Sequence, residues 1–268
     1  MQLFINFIVV TFKYGEVVSC SMITMFGGYA LDEVLKDNTH RMVNDIPNGI
    51  PSFAIDELSD RYVIGPVSYR GESHRVALSK EFLDNAEVHT QDDWVDRLQS
   101  SEWQLPSGPL MMELMTKLYE ERDGQYQDTI AEIQKKLRED FNGWMMTSTR
   151  IHYHTARLDE VVHDYRSQDE QTIARDMTGS EGLVTPTSGF DDAIETLFGT
   201  RDLALLADVS QWVSGKKLYL RRYTTKVDAQ GTLVLGVVSN DGFCIYAGTN
   251  ISTNWPARGV TLQKIGDV

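Results

Sequence analysis

The chain has 268 residues, 41% of them hydrophobic, and carries 39 acidic against 25 basic side chains for a formal net charge of −14. Apolar content of that order excludes an intrinsically disordered chain, and no apolar run reaches the roughly 18 residues of a membrane-spanning helix. The acidic surplus opposes a phosphate backbone and an anionic bilayer alike, which disfavours general nucleic-acid binding and adsorption to membranes.

The first element is apolar. Residues 3–10 read Leu-Phe-Ile-Asn-Phe-Ile-Val-Val, and Val17-Val18-Ser19-Cys20 imitates a lipoprotein cleavage box. A secretion signal has a basic start and an unbroken apolar stretch. Here no Lys or Arg precedes the run, and Lys13 and Glu16 interrupt it. The segment therefore reads as a buried strand, with a start at Met22 or Met25 as the open alternative. Cys20 and Cys244 lie too far apart in sequence to imply a disulfide framework, so a reducing cytoplasm is expected. Asn48-Gly49-Ile50-Pro51 and Gly65-Pro66 are turn signals. A helix is predicted over about 91–100, opened by Thr90 with Asp93 three positions on, and striped by Trp94, Val95 and Leu98.

The middle of the chain has the strongest pattern. Ser107-Gly108-Pro109 opens a helix whose face carries Leu110, Met111, Leu114, Met115 and Leu118, and Asp123-Gly124 breaks it. Tyr126, Ile130, Ile133, Leu137 and Phe141 recur with the period of a second amphipathic helix, ended by Asn142-Gly143. The two form a predicted antiparallel helical hairpin over 108–141. The methionines at 111, 112, 115, 145 and 146 read as core filling, with an adaptable partner groove as the alternative. Residues 144–154 are predicted to be a strand, and Leu158, Val161, Val162 and Tyr165 a third helix.

Residues 177–189, rich in Gly, Ser and Thr around Pro186, read as a linker. Helices are expected near 190–198 and 202–213, then strands near 216–226, 232–238, 243–248 and 259–265, with Asn240-Asp241-Gly242 as a hairpin turn. Elements come in blocks rather than strict alternation. The expected fold class is α+β: a central helical hairpin, a mixed N-terminal part and an antiparallel, β-rich C-terminal part. The corresponding division is 1–176, the linker 177–189, and 190–268.

Two groups of residues carry candidate chemistry. On a strand over 144–154, side chains alternate, so Ser148, Arg150, His152 and His154 share a face. Two histidines two apart reach one ion, and His163 supplies a third imidazole. His152, His154 and His163 are thus the candidate ligands of a divalent metal cofactor. Arg150 on the same face opposes a cation. The same side chains equally describe a pocket for a small anionic ligand, with the guanidinium as donor. The second group is Lys217, Tyr219, Arg221 and Tyr223, which alternate with Leu218 and Leu220. Bases interleaved with aromatics are a chemistry for single-stranded nucleic acid, opposed here by the net charge. Cys244 reads as a buried structural thiol.

No nucleotide-binding loop, nucleophile elbow or metalloprotease motif occurs. The favoured reading is a non-catalytic binding or regulatory module acting on a protein partner or a second copy, through the Lys217 strand face or the helical hairpin. The alternative is an enzyme, metal-dependent or not, built on the cluster over 150–163.

Overall fold

The computed structural model of the chain describes residues 6–13, 16–26, 29–30, 52–238 and 242–265. It divides into two compact units, residues 1–51 and 52–268. In the first, strands β1 (Asn6–Lys13), β2 (Glu16–Phe26) and β3 (Tyr29–Ala30) form an antiparallel sheet in that order. Val10 stands opposite Cys20 in its register. The apolar N-terminal segment is therefore extended, as its β-branched content favours.

The second unit is α+β. It has a four-stranded sheet, ordered β14-β6-β5-β4, from β4 (Ala54–Glu57), β5 (Arg61–Tyr69), β6 (Glu72–Ser79) and β14 (Val260–Lys264). It also has a seven-stranded sheet, ordered β10-β11-β13-β12-β7-β8-β9. These strands are β7 (Met145–Tyr153), β8 (Asp159–His163), β9 (Gln171–Arg175), β10 (Gly182–Leu183), β11 (Leu218–Arg221), β12 (Ala229–Val238) and β13 (Gly242–Asn250). The C-terminal strands pair antiparallel except β11 with β13, which are parallel. Gly242 is left-handed at φ 118°, and Asn240 and Asp241 of the expected hairpin turn lie outside the described residues.

Five α-helices complete the described part of the unit. They are α1 (Gln91–Leu98), α2 (Gly108–Glu120), α3 (Gln127–Phe141), α4 (Asp191–Phe198) and α5 (Leu203–Ser214). Ser107 caps α2, accepting the Leu110 N–H, and Thr90 caps α1, accepting the Asp93 N–H. Helix α2 is buried nearly all round: Leu110, Met111, Met112, Leu114, Met115 and Leu118 are each at most 1% exposed. A helix apolar on several sides needs cover on several sides, and β5, β7, α4 and α5 provide it. The methionine cluster is therefore core filling and offers no groove to a partner.

Two expectations are corrected. Residues 158–165 form no helix; β8 runs through them, between β7 and β9. Adjacent Val161 and Val162 point to opposite faces of the sheet, and both are buried. Leu158, the supposed start of a helical stripe, is 53% exposed. Nor is 177–189 a linker between separate parts. Met177 is fully buried, β10 pairs with β11, and the Val184 N–H bonds the Leu218 carbonyl. Small, turn-forming residues here serve a short sheet edge.

The two faces of the seven-stranded sheet are covered differently. One packs Ile151, Tyr153, Val161, Leu235, Ile245, Leu218 and Leu220 into the main core with the helices. The other carries Met146 and Val234 under Trp94, Leu105 and Ala257, with Trp144, Tyr246 and Trp255 half-buried around them.

Candidate functional site

The register separates the expected metal ligands. His152 pairs with Glu160 across β7 and β8, so His152 and His163 lie on opposite faces. His163 is 1% exposed, and both its ring nitrogens are occupied. Its Nε2–H donates to the Thr196 carbonyl at 2.8 Å, which makes Nδ1 the acceptor of the Thr149 hydroxyl at 2.9 Å. Thr149 Oγ1 in turn accepts the Gly108 N–H at 2.9 Å. Burial holds the His163 imidazole below its ordinary pKa, neutral and structural. His154 Nε2 receives Arg157 at 2.9 Å, and burial, helped by Arg150, also lowers the His152 pKa. The three imidazoles do not converge on one ion.

Arg150 is likewise committed. It is 2% exposed, donates through Nε to Gln91 Oε1 at 2.7 Å, lies 3.0 Å from Asp92 and stacks 3.7 Å over the Tyr165 ring. Gln91 explains this arrangement. Between Thr232↔Arg150 and Val234↔Met146, the register of β7 on β12 slips, leaving Thr147, Ser148 and Thr149 opposite Leu233. The Gln91 amide fills the gap, donating to the Thr147 and Thr149 carbonyls at 2.8 and 3.2 Å. Its oxygen takes Arg150 and, at 3.4 Å, the Thr232 hydroxyl. The expected anion donor is therefore spent on holding a bulge together.

The same bulge builds a different site. Ser148 turns its backbone away from β12, donating to the Pro106 carbonyl and accepting the Tyr165 N–H. Its side chain then lines a cleft of about 290 Å³ with Gln99, Trp103, Gln104, Asp164 and Gln168. Buried at the back is the Asp164 carboxylate, its side chain 7% exposed. Oδ2 accepts the Tyr69 hydroxyl at 2.6 Å and lies 2.7 Å from the Arg70 guanidinium. Among the described residues, Oδ1 receives only Ser148 Oγ, at a long 3.4 Å. Tyr69 accepts the Ser107 hydroxyl at 2.8 Å, and burial raises its pKa, keeping the phenol a donor. Arg70, Asp164 and Arg166 all have left-handed backbones, at φ 53°, 51° and 59°. Such conformations are costly for arginine and cluster at sites where geometry is imposed.

What this arrangement does chemically is limited by what is missing from it. Among the described residues, Ser148 contacts a carboxylate and no histidine, so these residues do not assemble the nucleophile–base–orienter chain of acyl transfer. Glu102 at the rim is already paired with Arg61 at 2.7 Å, and Arg166 lies 3.2 and 3.3 Å from Asp92 and Asp96. The cleft is thus lined by amides, hydroxyls and the Asp164 carboxylate, and by Trp103, whose ring also carries the Arg61 guanidinium at 4.5 Å.

The Lys217 group is partly dispersed. Lys217 is exposed, Tyr219 and Arg221 are half-buried, and the guanidinium lies 6.0 Å from the Tyr219 ring. Strand β11 ends at Arg221, and Tyr223 turns to pack edge-on to Tyr153 at 4.8 Å. The strand is flanked on both sides, so these cations do not guard a free edge. Cys244 is fully buried.

Asp164, Tyr69 and Gln91 escaped sequence reasoning. Each stands outside any periodic motif, and only the bulge brings them to Ser148. Comparison with known proteins finds no matching family model, curated protein or solved structure. Among the described residues, no helix is long and apolar enough to cross a membrane.

Proposed function

We propose that the chain is a non-catalytic, cytoplasmic binding module whose Ser148–Asp164 cleft takes a small uncharged ligand rich in hydroxyl groups, such as a sugar. The observation that carries this reading is Asp164, a buried carboxylate lining the cleft, whose Oδ1 receives only one long hydrogen bond from the described residues. A ligand hydroxyl satisfies it without the desolvation cost of a second charge. Trp103 offers an aromatic wall, and Gln99, Gln104 and Gln168 offer both donors and acceptors. Support for binding over catalysis comes from the commitments of His163 and Arg150 to structural bonds.

The test is a titration of intrinsic tryptophan emission with a panel of free mono- and disaccharides, including acetamido sugars, at millimolar concentration. At least one is expected to give a saturable change that vanishes in Trp103→Phe. Asp164→Asn removes a charge-assisted hydrogen bond, which is worth about 1.5–3 kcal/mol, and weakens binding roughly 10- to 100-fold. Gln168→Ala, at an exposed position, weakens it by a smaller factor without touching the buried network. No saturable response to any member of the panel, or one unaffected by all three substitutions, contradicts the proposal.

A further inference from the structure

We infer that Asp84, Glu87 and His89 form a binding site for a divalent transition-metal ion, independent of the cleft. Their ligand atoms all lie within 4.8 Å of one another. His89 Nε2 is 3.5 Å from Asp84 Oδ2 and 3.5 Å from Glu87 Oε2. Both separations are too long for hydrogen bonds of about 2.7–3.2 Å. They match the spacing of roughly 3.3 Å between donor atoms that share one zinc ion at about 2.0–2.2 Å.

The imidazole is the informative member. Its Nε2 is shielded from solvent, lacks a hydrogen-bond partner among the described residues and lies 3.5 Å from each of the two carboxylates. Two features fix it there. The His89 backbone is bonded in both directions to Trp255, at 3.3 and 3.0 Å. The ring meets Trp94 edge-on at 4.6 Å. One imidazole and two carboxylates are a donor set for zinc, manganese or iron, with solvent completing the shell. Arg97 is the competitor: its Nη1 lies 3.1 Å from the same Asp84 oxygen, on a side chain that is 51% exposed and free to move away.

These residues predict a weak, exchangeable site whose affinity Arg97 lowers. The experiment is calorimetric titration of the chelator-treated full chain with zinc chloride. Wild type is expected to bind one equivalent. His89→Gln should lose at least tenfold in affinity, and Glu87→Gln, at an exposed position, at least fivefold. Arg97→Gln should bind several-fold more tightly, which a merely structural ion pair does not predict. The double variant His152→Gln, His154→Gln should bind as wild type. Absence of saturable binding in wild type, binding unchanged in Glu87→Gln, or loss confined to the His152/His154 variant would overturn the assignment.

Discussion

At the scale of single residues, buried polar side chains decide what the sheet looks like. Gln91 is fully buried and makes four contacts that β12 does not make, two as donor and two as acceptor. Gln91→Leu keeps volume but removes the amide from two carbonyls and from Arg150 Nε, while the guanidinium keeps Asp92 and Tyr165. Unsatisfied buried groups cost about 1–3 kcal/mol each, so a loss on the order of 3–5 kcal/mol is expected in denaturant unfolding. A loss under about 1 kcal/mol would refute this account of the bulge. His163 makes a pH prediction. Its folded pKa lies below the unfolded value of about 6.5, so the unfolded chain binds the extra proton. The stability it contributes is complete above that pH and is lost as pH falls below it. His163→Gln has no such proton. The melting-temperature difference, wild type minus variant, should therefore shrink between pH 7 and pH 5, and a constant difference would exclude the titration.

At the scale of elements, local pattern was legible and tertiary pairing was not. Helices α2 and α3, both helices before the C-terminal sheet and strands β7, β12, β13 and β14 follow directly from apolar period and turn residues, but α2 packs on β5, β7, α4 and α5 and α3 on α5 and β12, rather than the two pairing mainly with each other as a hairpin. Strand β8 was misread because Leu158, Val161, Val162 and Tyr165 satisfy a helical spacing by coincidence. Burial on two faces satisfies the same valines as a strand. The candidate site was less legible. Arg150 and His152 share a face in the β7–β8 register, but His154 lies beyond the strand, and the bulge that gives Ser148 a cleft and commits Arg150 to Gln91 depends on a register no single segment encodes. Gly236 is a further example. Trp144, left-handed at φ 64°, lies against it so closely that an added Cβ would sit 2.4 Å from the indole. Gly236→Ala is expected to cost roughly 1–3 kcal/mol by overpacking and to alter near-ultraviolet circular dichroism as Trp144 shifts against Trp255. A neutral substitution with an unchanged spectrum would show that the indole yields freely.

At the scale of the molecule, residues 52–268 carry both sheets that flank α2, the main core and the cleft. A chain of 52–268 alone is expected to unfold in one cooperative transition and to bind the cleft ligand as the full chain does. Binding of a hydrophobic dye, or loss of cooperativity, would show that this unit depends on residues 1–51. The net charge of −14 also gains local detail, since the arginines around the cleft are answered by Asp92, Asp96, Glu102 and Asp164. A neutral ligand is what such balanced surroundings favour. The most direct measurement is a heteronuclear NMR titration of the full chain with the sugar that perturbs tryptophan emission. The account predicts shifts concentrated on the Trp103 indole N–H and the side-chain amides of Gln99, Gln104 and Gln168. Shifts centred instead on Lys217, Tyr219 and Arg221, or scattered without saturation, would contradict it.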